Sequence, residues 1–400
     1  MEIRFVATPR TPDATYRRRA VWLASLVGGA LTGLVSWAFL RALDWANRTR
    51  VEHGELVVLL PVAGAVVAGA YHYWGGRAKG GTPAVIEQAN VLTHGVPTRM
   101  APFIFGGATV GHLAGASVGR EGAALQMAAS VTDTAGRALR LHPEERRIAI
   151  AASLAGGWGA VFGVPITGIV FCRQINRHRR WRSLVPSVIS AVTGLLVVRG
   201  LGYRFEHPAL AAPDWTFALP WKLILLGIGV GLVARLFVAM LKGVRHHAAR
   251  HLHQPMLRAA VGGAATLVLL TLVGRDHLGL SSELLTGALA GGEVDWFDPL
   301  LKMTFTAIAL GTGFVGGEVL PLFVMGATLG GSWASGLNAD RMLFATTAST
   351  AAFASAASVM TTGIVLTVEQ FGWHSFVPAV IVGMTARLVA GRPGLYVAHH

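Results

Sequence analysis

The feature that most limits what this chain can fold into is a series of long runs without a charged side chain. Residues 20–40, 56–76, 101–119, 148–172, 319–339 and 342–368 are such runs, several at or beyond the roughly 20 residues a helix needs to cross a bilayer. With 53% hydrophobic residues, 14% charged residues and a mean hydropathy of +0.53, the chain reads as an all-α polytopic membrane protein, not a soluble domain. Other apolar segments, residues 122–131 and 223–234, are too short to span. They read as helices that enter the membrane and stop, which is allowed only where the freed backbone lines a cavity.

The net charge of +14 raises the question of nucleic acid. The basic residues, however, sit in short clusters between apolar segments, at 17–19, 146–147, 177–182 and 242–258, as cytoplasmic loops do under the positive-inside rule. The expected partner is therefore the lipid bilayer and not nucleic acid. The expected place is the inner (plasma) membrane, with several passes and both termini cytoplasmic. Residues 1–19 read as a basic tail, 20–198 and 221–391 as two membrane repeats, 199–220 as a polar linker with Pro208, Pro213 and Pro220, and 392–400 as a C-terminal tail. The single cysteine, Cys172, excludes an intrachain disulfide. The first apolar run is too long for a signal-peptide core. No H-E-x-x-H, P-loop or G-x-S-x-G motif occurs, so no enzyme is expected. His247 and His251 share a helical face, but interleaved arginines and the lack of a nearby carboxylate or cysteine favour a basic loop over a metal site. Neither metal nor cofactor is expected.

Residues 115–130, reading GASVGREGAALQMAAS, place Arg120 and Glu121 side by side between Gly119 and Gly122 at the end of an apolar run. An ionisable group at bilayer depth is expensive and usually faces a protein interior or a water-filled path. Flanking glycines let the backbone approach a ligand, and a helix restarting at Gly122 offers unpaired N–H groups and a positive dipole end, which bind anions. Glu121 then reads as a tethered anion that fills such a site and leaves it when protonated or displaced. An interfacial loop is the plainer alternative. Gly80-Gly81-Thr82-Pro83 reads as a second helix start facing an anion, with Pro83 at its first position. There the alternative is a simple turn.

The two halves echo each other. Gly119-Arg120-Glu121 matches Gly316-Gly317-Glu318 at an offset of 197 residues, and Thr167-Gly168-Ile169-Val170-Phe171 matches Thr362-Gly363-Ile364-Val365-Leu366 at 195. Duplicated membrane halves with helices broken at matching places point to a transporter whose site lies where the halves meet.

The motif Gly119-Arg120-Glu121-Gly122 resembles the gating-glutamate motif of the CLC chloride channels and proton-coupled antiporters. Arg99-Met100-Ala101-Pro102, His112, GREGAALQM and Gly316-Gly317-Glu318-Val319-Leu320-Pro321-Leu322-Phe323 are similar to the bacterial branch of that family that exports fluoride in exchange for protons. Chloride-handling members usually carry Gly-Ile-Phe-Ala-Pro at the last motif, so Glu318 favours the fluoride branch. The resemblance runs nearly end to end. It implies a homodimer in which each subunit holds its own pore, built as an inverted repeat with broken, partly re-entrant helices converging on an anion. It assigns Glu121 as gate and proton acceptor and Thr82 as the central filter residue. Tyr396 becomes the inner hydroxyl, and Gly81, Pro83, Gly119, Arg120, Gly122, Gly317, Glu318, Val319 and Leu320 complete the anion site.

Three departures bear on the ion and the coupling. Thr82 stands where chloride antiporters usually have Ser and the fluoride branch often Met or Asn. Leu320 stands where that branch commonly has Thr. Arg173 and Gln174 occupy the place where many proton-coupled relatives carry an inner glutamate. The expected function is fluoride/proton antiport, the alternative a chloride channel or chloride/proton antiporter of the same family.

Overall fold

A computed structural model describes residues 14–176, 181–205 and 208–396. Residues 1–13 of the basic tail, 177–180 of the basic run, 206–207 of the linker and 397–400 of the C-terminal tail lie outside the described residues. The first helix series comprises α1 (Ala14–Glu52), α2 (Leu60–Ala70), α3 (Gly81–Asn90), α4 (Met100–Ala114), α5 (Glu121–Ala138), α6 (Pro143–Phe162), α7 (Pro165–Ile175) and α8 (Leu184–Gly200). The second comprises α9 (Leu219–His251), α10 (Pro255–Val273), α11 (Ser282–Leu289), α12 (Asp298–Thr312), α13 (Val319–Leu337), α14 (Arg341–Ala357), α15 (Met360–Phe371) and α16 (Phe376–Ala390).

Among the described residues, six helical stretches are long and apolar enough to cross a membrane, Arg18–Glu52, Leu219–His251 and Val319–Leu337 included. Glycine and proline break the rest. The charge-free run at 148–172 divides at Gly163, whose φ of 74° ends α6, and Pro165 opens α7 at a position where its missing N–H has no partner to lose. The run at 342–368 divides at Ser358, φ 60°. Two expectations are corrected. Residues 223–234 are no short re-entrant piece but the middle of α9, because half-buried Lys222 and exposed Arg235 continue the helix instead of ending it. Helix α1 also takes in residues 14–19, read above as tail, since arginine and alanine are good helix formers.

Helices α4, α5 and α6 begin at 100, 121 and 143, and α12, α13 and α14 at 298, 319 and 341, a constant spacing of 198 residues. The spacing falls to 195 for α7 and α15 because α14 has 17 residues where α6 has 20. The larger contacts between the two series join α2 to α10, α7 to α15 and α5 to α13. Each helix meets the one at its own place in the other series, as a two-fold relation requires. Within a series the packing is close: an added Cβ at Gly156 or Gly159 of α6 would strike Ser190 or Ala191 of α8, and at Gly326 of α13 it would strike the Ala348 backbone of α14. Small residues let membrane helices approach in this way. Trp158, fully buried, stacks on Phe162 at 5.0 Å and contacts Phe171 and Phe353 where the two series join.

Helices α7 and α15 cap one another. Glu369 of α15 accepts hydrogen bonds from the N–H groups of Ile166 and Thr167 (2.9 and 2.7 Å) and from the Thr167 hydroxyl (2.7 Å). Gln174 of α7 accepts from the N–H and hydroxyl of Thr362 (3.1 and 2.7 Å). Both helix starts thus satisfy orphan donors without water.

Candidate functional site

Two short loops meet where α4 turns into α5 and α12 into α13. Left-handed glycines, Gly115 (φ 94°) and Gly313 (φ 115°), end α4 and α12 and turn the chain back. The loops then pair as a single antiparallel bridge, with Gly119 N–H donating to Gly317 O (2.6 Å) and Gly317 N–H to Gly119 O (2.7 Å). Only glycine fits: a Cβ on Gly122 would lie 3.0 Å from Gly317 Cα, and one on Gly119 2.9 Å from Gly317 O. The bridge also corrects the register of the repeat. Gly119 pairs with Gly317, so Glu121 corresponds to Val319 and Glu318 to Arg120, one residue away from the match read in the sequence. The adjacent Gly316 and Gly317, either of which can be matched to Gly119, made the two registers alike by sequence.

Glu121 is the first residue of α5, not the residue before it, and its side chain is 2% exposed. Its Oε2 accepts from the N–H of Arg120 and from the N–H of Leu320, both at 3.1 Å. Oε1 lies 3.5 Å from Arg120 Nε and has no hydrogen-bond partner. The carboxylate therefore sits on the N-terminus of α13, in the partial positive charge of that helix. The sequence placed the anion-facing end on α5 itself; the structure supplies it from a residue 199 positions away.

Thr82, 4% exposed, connects the third helix start to this pair. Its hydroxyl donates to Gly122 O (3.4 Å) and accepts from Gln126 Nε2 (3.3 Å). Pro83 is the third residue of α3, not the first, because Gly81 (φ 59°) already opens the helix. Gly81, Thr82, Pro83, Gln126 and Glu318 line one cavity of about 460 Å³, together with Lys79, Lys242, Arg245 and Arg258. Glu318 immediately precedes α13, and its side chain makes no hydrogen bond to the helix start. Tyr396 packs against the main core beside Leu395, which lines the same cavity, and its buried hydroxyl has no partner among the described residues.

All the candidate residues thus belong to one neighbourhood, with Val319 and Leu320 buried at its back. Gln126 was not singled out from the sequence, although it is the one amide in the GREGAALQM stretch. The basic wall of the cavity was missed for another reason: Arg245 and Arg258 belong to the cluster read only as a cytoplasmic loop. His247 and His251 stack on the same helix, their Nδ1 atoms bonded to the carbonyls of Gly243 and His247.

A family model described as voltage gated chloride channel matches residues 63–391. The chain is 34% identical over 392 residues to a chloride/fluoride channel protein of Pseudomonas syringae pv. tomato, covering 94% of this chain and 86% of that one. It is 27% identical over 410 residues to the H(+)/Cl(-) exchange transporter ClcA of Yersinia pseudotuberculosis, covering 92% and 84%. Among solved structures, a CLC-type fluoride/proton antiporter matches with a TM-score of 0.91 at 27% identity, covering 95% of this chain and 97% of that one. A slow cyanobacterial Cl-/H+ antiporter matches at 0.79 and 17% identity over 93% and 94%, a likeness of fold alone. With most of its length inside the family model and its closing helices aligned to the same fold, this chain belongs to the CLC family, as a multi-pass membrane transporter of anions and not an enzyme.

Proposed function

We propose that this protein exports fluoride in exchange for protons, with Glu121 as the group that alternates between filling the anion site and carrying a proton. The observation that carries the reading is the seat of Glu121 Oε2 on the Leu320 N–H: a side-chain carboxylate occupies the helix end that would otherwise hold a free anion. Displaced or protonated, it frees that end. The unpartnered Tyr396 hydroxyl supplies one donor, Thr82 supplies another when its long bond to Gly122 O is exchanged for the ion, and Gly81, Pro83, Gly119, Arg120, Gly122, Gly317, Glu318, Val319 and Leu320 shape the backbone around the ion. Fluoride is small and strongly hydrated, so it needs short, strong donors in place of water. The choice of fluoride rests on Glu318 and on the likeness to a fluoride/proton antiporter and a chloride/fluoride channel protein.

The reading includes a homodimer with one pore per subunit, two oppositely oriented repeats (20–198 and 221–391) joined by 199–220, and an inner-membrane location with cytoplasmic termini. The orientation is supported by Lys79, Lys242, Arg245 and Arg258, basic residues distant in the chain that border one cavity, as expected of a cytoplasmic side rich in Lys and Arg.

One observation favours a passive chloride or fluoride channel as the second reading. Gln174, at the place of the inner glutamate of many relatives, is occupied in capping α15 and offers no carboxylate to relay protons. Efflux from liposomes holding the purified protein, with fluoride and chloride compared while an electrode follows protons, separates the readings. Fluoride efflux that drives protons uphill supports antiport, equal or greater chloride efflux moves the protein to the chloride branch, and efflux without protons makes it a channel.

A further inference from the structure

Lys302 is wholly buried near the middle of an apolar helix, and no ion pair involves it among the described residues. A buried ammonium is costly unless its three N–H donors are satisfied. Here they are. Lys302 Nζ donates to the carbonyls of His277 (3.2 Å) and Gly279 (2.9 Å) and to the Ser281 hydroxyl (2.9 Å). These alternate residues all belong to the turn before α11, and Gly279 and Ser281 both have left-handed backbones, φ 57° and 52°. That handedness curls residues 277–281 around one point, and the ammonium occupies it. For Ser281 the conformation is strained and persists only because its surroundings hold it.

The clamp continues along one face of α12 at steps of four. Asp298 accepts from or pairs with His277 Nε2 (2.9 Å), Lys302 holds the curl, and Thr306 shares a hydrogen bond with Ser117 (3.0 Å). Ser117 belongs to the loop that carries Glu121. The curl itself touches that loop's first residue: Gly279 N–H donates to Gly115 O (3.2 Å). The loop is therefore tied at Gly115, Ser117 and Gly119, the last through the Gly317 bridge. Two of the three ties originate on α12 or on the turn that Lys302 holds.

We propose that Lys302 is a positioning residue for the Glu121 gate, holding the turn at 277–281 against the loop at 115–119 and so fixing where the carboxylate meets α13. The inference rests on the reading of Glu121 as the gate. Without the ammonium, two carbonyls in a water-poor interior lose their donor, the curl opens, and Gly115 loses its stop.

The test is the ratio of protons to anions moved by Lys302→Met in liposomes. A displacement of about 1 Å can cost orders of magnitude in a positioned step, so the ratio is expected to fall at least about threefold while anion efflux persists. Lys302→Arg, which keeps charge and donors, should recover the ratio. Val198→Ala, a cavity where α8 packs on the first series, should lower stability and leave the ratio alone. A folded Lys302→Met with the wild-type ratio overturns the proposal. If that variant does not fold, Thr306→Val and Ser281→Gly each cut one tie, the second while relieving strain, and wild-type ratios in both overturn it equally. Proton transport that survives Glu121→Gln removes the gate reading instead, whatever Lys302 does. Should the wild type prove passive, the readout becomes anion flux, which Lys302→Met must alter in the wild type and not in Glu121→Gln.

Discussion

Residues 79–83 and 277–281 stand 198 residues apart, at the same place in the two helix series, and they have opposite contents. Each leads into a short helix, α3 or α11, and each turns on a glycine of positive φ, Gly81 at 59° and Gly279 at 57°. The first opens on a cavity and presents Thr82 to it. The second is filled from behind by the Lys302 ammonium, while Leu278, Leu280 and Ser281 border a separate pocket on its other side. The difference comes from the helix behind. Asp298, Lys302 and Thr306 on α12 correspond to Met100, Ile104 and Ala108 on α4, all buried. An apolar stripe leaves the first turn free to serve a mobile ligand, whereas a polar stripe fills the second with a fixed cation. Duplication makes two such turns; side chains decide that only one of them is held by a buried cation.

The largest expected effect tests whether the carboxylate between these turns is the moving part. Glu121→Gln should abolish proton movement and leave anion efflux, measured in liposomes; continued uphill proton transport by that variant would sink the gate. Next comes the bridge on which both loops depend. A Cβ at Gly317 strikes the Gly122 backbone, so Gly317→Ala should cut anion flux by about a hundredfold or more, as misplacement of a reacting group does. Gly279→Ala, strained by its positive φ but without such a collision, should cost only about 1 kcal/mol, seen as a lower unfolding midpoint.

The third test addresses the open turn. Thr82→Val removes one hydroxyl and should weaken anion binding by up to about tenfold, roughly the worth of one hydrogen bond, read from the concentration dependence of efflux. An unchanged dependence would show that the turn is open but idle. The smallest effect belongs to the basic wall. Arg245→Gln should slow efflux about twofold to threefold at low ionic strength and not at high, because screening removes long-range attraction. Equal slowing at both would mean that Arg245 contributes packing and not field.

Much of this arrangement was legible in the chain. The helix break within residues 115–122 was legible because glycine's backbone freedom is a local property, whereas the break at Gly163 and Pro165 lay inside a charge-free run long enough to span. Arg120 and Glu121 were legible because charge inside an apolar run has few uses. Other features were not. The repeat register was misread by one residue, since either Gly316 or Gly317 can be matched to Gly119 by sequence and only the Gly119–Gly317 pairing distinguishes the alternatives. Residues 223–234 looked too short because a charge-free window cannot tell that the helix runs on through Lys222 and Arg235. Lys302 passed unnoticed: one lysine in a helix does not announce that three acceptors await it.

By itself the sequence determined that the chain lies in a membrane, that its helix breaks before Glu121, and which carboxylate is out of place there, because hydropathy and glycine act over a few residues. Only the tertiary structure decided that Glu121 rests on the N-terminus of α13 and that a buried lysine closes one of two equivalent turns. Those contacts join residues that lie far apart in the chain, and their partners are chosen by packing, which no local pattern records.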